Sequence, residues 1–242
     1  MSADKLALVT GAAAGLGQLI AAELHAEGYR VALADRDGAA VWAAADALGE
    51  RAMAIELDVT RKADFVGVLA KLGAAPDVLV NNAALTLTTP VMQIEPEEFS
   101  RVLDVNLRGT FLGCQVFGQA MAAAGRGRII NVASLAGQNG GTASGAHYAS
   151  SKAGILTLTK IFARELAARG VTVNAVAPGP LDLPSVRAAV PAERLEQLVK
   201  NIPVQKLGNP RFIARLVALL ASEDADSATG AAWDVNGGIF MR

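Results

Sequence analysis

Two side chains that can exchange a proton stand four residues apart in this chain, Tyr148 and Lys152. They open a helical pattern, so that spacing puts both on one face. A lysine ammonium beside a phenol favours the phenolate and lowers its pKa. A tyrosine tuned in this way can donate or accept a proton near neutral pH. An ordinary exposed helical pair has the same spacing, so the motif needs partners. Ser134 ends the apolar run Asn131-Val132-Ala133-Ser134, where its hydroxyl can hydrogen-bond a substrate oxygen; a turn or capping serine is the commoner role there. Asn106 lies within the otherwise apolar stretch 102–111, and a buried asparagine must find hydrogen-bond partners, structural or functional.

A second group of residues suits a phosphate. The first apolar run leads into Thr10-Gly11-Ala12-Ala13-Ala14-Gly15-Leu16-Gly17, and a helical pattern follows. Small residues there let the backbone approach a pyrophosphate, and the helix N-terminus adds N–H donors and a positive dipole. The glycines do not match G-x-G-x-x-G, and a plain connecting turn has the same composition. The second apolar run ends in Ala34-Asp35-Arg36. A carboxylate there can accept both hydroxyls of an adenosine ribose and repel a 2′-phosphate, which points to NAD. The adjacent Arg36 leaves NADP open. Asn81-Asn82-Ala83-Ala84 ends the fourth run as a turn of little side-chain bulk, which close cofactor approach requires.

These groups must be held by regular elements. Near-continuous apolar runs at 6–10, 30–35, 52–58, 77–81, 128–134 and 171–176 read as strands covered on both faces, as in a parallel sheet. Helical patterns fall at 15–28, 38–49, 61–73, 96–124 and 147–169. The alternation predicts a Rossmann-type, doubly wound α/β sheet with helices on both faces. With no linker or repeat, residues 1–242 read as a single dinucleotide-binding and catalytic domain. The segment 178–210 holds Pro178, Pro180, Pro184, Pro191, Pro203 and Pro210 and reads as a substrate loop with one short helix near 191–201.

Composition narrows the classes. A net charge of −1 implies no nucleic acid, and no stretch approaches the roughly 18 apolar residues of a membrane span. The first residues lack the longer apolar region of a secretory signal. One cysteine, Cys114, excludes an internal disulfide framework, and two distant histidines, His25 and His147, make a metal site improbable. The expected setting is the cytoplasm.

Taken in order, Thr10-Gly11-x-x-x-Gly15-x-Gly17, Asp35, Asp58, Asn81-Asn82-Ala83, Asn106, Ser134, Tyr148-x-x-x-Lys152 and Pro178-Gly179 resemble the short-chain dehydrogenase/reductase family over nearly the whole chain. The likeness continues through Thr229-Gly230 and Asp234-Val235-Asn236-Gly237-Gly238. It is greatest to the compact branch that includes 3-oxoacyl-carrier-protein reductases and NAD-dependent alcohol dehydrogenases. The resemblance implies a seventh strand and a homotetramer, the latter in keeping with alanine-rich helices and the apolar tail 239–241. It also implies roles. Tyr148 is the general acid/base, and Lys152 tunes it and holds the nicotinamide ribose. Ser134 steadies the substrate oxygen, and Asn106 anchors a proton-relay water. Gly11, Ala14, Gly15, Leu16, Gly17, Asp35 and Arg36 hold the adenosine end. Asp58 meets the adenine amine beside Val59. Asn82, Ala83, Ala84, Pro178, Gly179 and Leu181 line the rest. Three positions depart from the family pattern. Ala84 replaces a common glycine, Leu183 a cofactor-contacting threonine, and Asn236 an aspartate.

The expected activity is hydride transfer between NAD(H) and an uncharged secondary alcohol or ketone of modest size. The stretches 85–87, 138–147 and 181–190 should surround the reacting carbon, and they offer no arginine pair to grip a carboxylate. A 3-oxoacyl thioester reductase is the alternative. Asp35 counts against its usual NADPH, and the segment 120–128 offers little basic surface for an acidic carrier. A non-catalytic dinucleotide sensor is a third reading, opposed by the intact Ser134, Tyr148 and Lys152.

Overall fold

The structure, a computed structural model, describes residues 5–141, 145–189 and 192–242. Parts of two expected substrate stretches, 142–144 and 190–191, lie outside the described residues. Seven parallel strands form one sheet in the order β3-β2-β1-β4-β5-β6-β7. They are β1 Leu6–Thr10, β2 Arg30–Asp35, β3 Ala52–Glu56, β4 Val78–Asn81, β5 Gly127–Val132, β6 Val171–Pro178 and β7 Ala232–Val235. The order reverses beside β1, which pairs with β2 on one side and β4 on the other, Leu8 facing Ala32 and Leu79. A crevice forms at the strand C-termini where such a sheet changes direction.

Side-chain alternation splits the core into two faces. Ala7 and Val9 of β1 join Val31, Leu33, Val78 and Val80 on one face. Helices α1 Gly15–Ala26, α2 Gly38–Leu48 and α10 Pro210–Ala221 cover it through Ile20, Val41 and Ile213, among others. Leu6 and Leu8 join Ala32, Leu79 and Ile129 on the other face. That face is covered by α3 Lys62–Leu72, α5 Gly109–Ala124 and α7 Ala146–Leu166, where Phe65 and Phe117 meet edge to face with centroids 6.1 Å apart. Because both faces are buried, the strands read as continuous apolar runs.

The expected helix at 96–124 is interrupted. Helix α4 Pro96–Leu103 passes through a wide π turn, Asp104–Arg108, into α5. An apolar period does not distinguish a wide turn from an α turn, and such turns are frequent at functional sites. The expected loop at 178–210 holds two short helices, α8 Pro184–Ala189 and α9 Ala192–Lys200, rather than one. Its base is closed by a bridge between Leu181 and Gly208. One further short helix, α6 Ala136–Asn139, follows β5. Helix α10 escaped the pattern reading, although Asn209-Pro210 is a start signal. The Asn209 side chain accepts the Arg211 N–H, and Pro210 takes the first turn, where no donor is needed. No helix among the described residues is long and apolar enough to cross a membrane.

Candidate active site

At the adenosine end, the turn after β1 is shaped by backbone contact. Gly11 and Gly15 take φ of +65° and +61°, which favours glycine. A Cβ on Gly17 would stand 2.1 Å from the Gly11 carbonyl oxygen, and one on Gly11 would stand 2.7 Å from Ala83 Cα. The turn is tied to the end of β4 by polar contacts. The Thr10 hydroxyl accepts the N–H groups of Asn82 and Ala83 at 3.0 and 3.1 Å, and the Asn82 amide donates to Thr10 O and Gly11 O at 3.0 Å. Ala14 stands at the N-cap of α1 and offers no side-chain cap, and no acidic residue lies in the first turn, so the first N–H groups of the helix remain available to an anion. Gly17→Ala should cost about 1–3 kcal/mol, because backbone must move to admit the methyl; urea unfolding checks this.

Asp35 ends β2 with both oxygens engaged, Oδ2 accepting the Ala13 N–H and Oδ1 the Asp37 N–H, each at 3.2 Å. Its carboxylate therefore braces the glycine turn while bordering the cleft. Arg36 is exposed on the same rim, and Asp37 caps α2 through the Ala40 N–H.

At the other end of the cleft, Ser134 follows β5, and its Oγ accepts the Ala136 N–H at 3.1 Å. Helix α7 carries Tyr148, half-buried, and Lys152, fully enclosed. Lys152 Nζ donates to Val132 O at 2.7 Å and lies 5.5 Å from the Tyr148 ring centroid. Burial pushes the Lys152 ammonium down to about 8. The Tyr148 phenol is raised by burial, with the Ser134 and Thr86 hydroxyls pulling it back. The net direction is opposite to that expected from Lys152 alone, since desolvation of the ring outweighs the other influences with the groups present.

Buried amides fasten this end. Asn81 Nδ2 donates to Asn131 Oδ1 at 2.8 Å, and Asn131 Nδ2 to the Thr159 hydroxyl at 3.0 Å, joining β4, β5 and α7. Asn106, on the π turn, accepts the Leu85 N–H at 2.7 Å and donates to Leu85 O and Ser151 Oγ, both at 3.0 Å. Ser151 in turn donates to Tyr148 O at 2.7 Å. Both amide protons of Asn106 are thus committed to protein, and its side chain braces the first turn of α7. A relay water would have to donate to Asn106 Oδ1 or to its main-chain oxygen.

A cleft of about 610 Å³ joins the two ends. Its lining includes Gly11, Ala14, Gly15, Leu16, Gly17, Asp35, Arg36, Asn82, Ala83, Ala84, Ser134, Tyr148, Lys152, Pro178, Gly179 and Leu181. Asn106, Asp58 and Val59 are not among the lining residues. Asp58 is turned into its own loop, where Thr60, through its N–H and its hydroxyl, holds the carboxyl below the usual range. A Cβ on Gly109 would stand 3.1 Å from the Val59 side chain. Asp37, Ala40, Val132 and Ala133 line the cleft without having been singled out. Only the helix-cap position of Asp37, two residues after Asp35, carried a signal.

The glycine turn, the uncapped helix start and the carboxylate beyond them suit a dinucleotide, and the buried lysine and tyrosine suit proton transfer beside it. No metal-binding group of acidic, cysteine or histidine residues occurs among the described residues. A family model described as enoyl-(acyl carrier protein) reductase matches residues 11–240. The (3R)-3-hydroxyacyl-CoA dehydrogenase of Rattus norvegicus is 38% identical, over 98% of this chain and 96% of the relative. The 3-oxoacyl-[acyl-carrier-protein] reductase FabG of Staphylococcus aureus is 40% identical over the full length of both. The crystal structure of 3-oxoacyl-[acyl-carrier protein] reductase from Brucella melitensis superposes with a TM-score of 0.93 at 34% identity, covering 98% of this chain and 92% of that one.

Proposed function

Because the chain belongs to the short-chain dehydrogenase/reductase family, whose members move a hydride between a nicotinamide dinucleotide and a CH–OH group, we propose that it interconverts 3-hydroxyacyl and 3-oxoacyl thioesters, using NAD(H) in preference to NADP(H). The observation that carries this reading is the convergence of Ser134, Tyr148 and Lys152 on the cleft that begins at the glycine turn. A 3-hydroxyacyl thioester is itself a secondary alcohol, so the chemistry is that expected for the alcohol and ketone reading. The names of the relatives move the thioester from alternative to leading substrate. The apolar lining from Leu181 and Leu183 suits an acyl chain. Arg187 is held in a two-pronged contact by Asp182 at 2.6 and 3.0 Å, which disfavours a free carboxylate ligand.

In reduction, the Tyr148 phenol gives its proton to the substrate oxygen as the carbon receives a hydride; oxidation reverses both transfers. The nicotinamide ring, when bound, supplies the hydride acceptor or donor. Ser134 donates a hydrogen bond to the substrate oxygen and holds it against the phenol. Lys152, with a proton it can lose near neutral pH, renews the charge state of Tyr148 and steadies the ribose. The first turn of α1, with Gly11, Ala14, Gly15, Leu16 and Gly17, would take the pyrophosphate. Asp35 would accept the ribose hydroxyls. Ala83, Ala84, Pro178, Gly179 and Leu181 would flank the nicotinamide.

Three substrates test the reading: a medium-chain 3-oxoacyl-CoA, a methyl ketone of matching chain length and the free 3-oxo acid. The thioester should have the highest kcat/KM. A methyl ketone favoured over it would restore the simple ketone reading. The cofactor preference rests on Asp35. A 2′-phosphate about 4 Å from its carboxylate is repelled by roughly 1–4 kcal/mol, or about one to three decades of affinity. Asp35→Ala should narrow the NAD(H) to NADP(H) ratio of kcat/KM, and equal efficiency of the wild type with both cofactors would refute the preference. A homotetramer goes with this reading, supported by the exposed Phe111 and Ile161 on α5 and α7.

A further inference from the structure

A second set of contacts, which the reaction itself does not use, reaches Tyr148 through His147 and Glu98. His147 directly precedes Tyr148 and is fully enclosed. Its Nδ1 accepts the Tyr148 main-chain N–H at 2.8 Å. That nitrogen is therefore unprotonated, and the neutral ring must carry its proton on Nε2. Nε2 lies 2.9 Å from Glu98 Oε1 and donates to it. Glu98 belongs to α4, and Thr89, in the segment after β4, acts with His147 to hold its carboxyl below the usual range. The Phe99 ring lies 6.5 Å from the imidazole, centroid to centroid. Space for the ring depends on Gly145, where a Cβ would stand 2.3 Å from His147 Cε1. Gly145 in turn donates its N–H to Leu87 O at 2.9 Å.

We propose that Glu98 and His147 are a positioning pair for Tyr148: the carboxylate fixes the imidazole tautomer, and the imidazole fixes the first turn of α7 from which the phenol reaches the cleft. The proposal rests on Tyr148 as the acid/base. The N–H that His147 accepts belongs to the tyrosine itself, at a helix N-terminus whose donors have no intrahelical partner. Among the described residues, no other side chain caps this helix start. Asn106 and Ser151 hold the same turn through the Tyr148 carbonyl, so the residue is gripped at both ends of its main chain. Without Glu98, the Nε2 proton loses its acceptor, and only the Tyr148 N–H keeps the proton off Nδ1. A proton moved to Nδ1 would face the Tyr148 N–H, donor against donor. Neither Glu98 nor His147 borders the cleft, so the pair acts through Tyr148 and not on substrate.

Conservative variants separate positioning from mere stability. In His147→Asn the side-chain oxygen stands where Nδ1 was and still accepts the Tyr148 N–H. In His147→Gln the acceptor moves out towards Glu98 and that bond is lost. Glu98→Gln keeps an acceptor for Nε2–H, and Glu98→Ala does not. Misplacement of a reacting group by about 1 Å can cost up to about 100-fold, so His147→Gln and Glu98→Ala should lower kcat roughly 10-fold or more with KM for both substrates within about twofold. His147→Asn and Glu98→Gln should keep at least about half of wild-type kcat. The four variants should be compared with the wild type and Tyr148→Phe in one assay. Full activity in Tyr148→Phe overturns the acid/base reading. An inactive Tyr148→Phe beside a fully active His147→Gln or Glu98→Ala overturns the pair alone. Equal losses in the conservative and disruptive variants also overturn it, as does a loss carried by KM. Nitrogen NMR of the imidazoles gives an activity-independent reading, since the chain has only two histidines. An Nε2-protonated His147 is expected in the wild type and in Glu98→Gln, and an Nδ1-protonated ring in either would overturn the pair.

Discussion

Tyr148→Phe should lower turnover by about 100- to 10,000-fold, the usual worth of general acid/base catalysis, while nicotinamide dinucleotide affinity stays within about twofold. The substitution removes one oxygen and leaves the ring that packs in α7. Burial already holds the phenol above its ordinary value, so removing the hydroxyl leaves no buried charge behind. The Ser134 and Thr86 hydroxyls lose a partner, but both line the cleft, where water can replace it. Steady-state kinetics in both directions, with cofactor titration by fluorescence, give the two readings. A variant retaining more than about a tenth of wild-type activity would remove Tyr148 from the chemistry.

Lys152→Met should reduce activity by about 100-fold or more and weaken cofactor binding, yet its stability should change with pH in a defined direction. Lys152 has a folded-state pKa of about 8, against 10.5 for an unperturbed lysine. Below pH 8 folded and unfolded chains both hold the proton, and the cost of burying it is fully present. Between about 8 and 10.5 the folded chain sheds the proton while the unfolded chain keeps it, so stability rises with pH. Methionine has no such dependence. The wild type should therefore gain on the variant across that window, by on the order of 3 kcal/mol at most. Calorimetry of both proteins between pH 7 and 10.5 tests the sign, and a constant difference would place the ammonium in water, not in the core.

Much of the architecture was legible because burial on both faces writes itself into the strands. Residues 6–10 and 30–35 coincide with β1 and β2, since the positions that both faces bury, Leu6–Val9 and Val31–Ala34, must be apolar. The edge strand β7 left no such mark: four residues, with Trp233 and Asp234 exposed, carry too few apolar positions to be distinguished from a turn. In the substrate segment the expected helix near 191–201 is α9, whereas α8, six residues opening on Pro184, is too short to show a period of its own.

The chemistry-bearing residues were legible as types and spacings. What each of them touches in space was not. Glycines at 11, 15 and 17, a carboxylate at 35 and a tyrosine and lysine four apart are local facts, and a local motif needs only its neighbours in sequence. Three matters depended on residues far apart in the chain. The Asn106 amide reaches Leu85 and Ser151 because a wide turn faces both, and a sequence separation of 21 and 45 residues hides those bonds. The phenol of Tyr148 is raised rather than lowered because the sheet and α7 enclose it, and desolvation depends on what surrounds a group, not on its nearest charged neighbour. His147 read as an isolated histidine until α4 brought Glu98 against it, across 49 residues of chain. Sequence by itself determined which groups could do chemistry and the order of elements that carry them. Only the tertiary structure decided which atoms they touch, because hydrogen bonds and desolvation act over a few ångströms of space regardless of distance along the backbone.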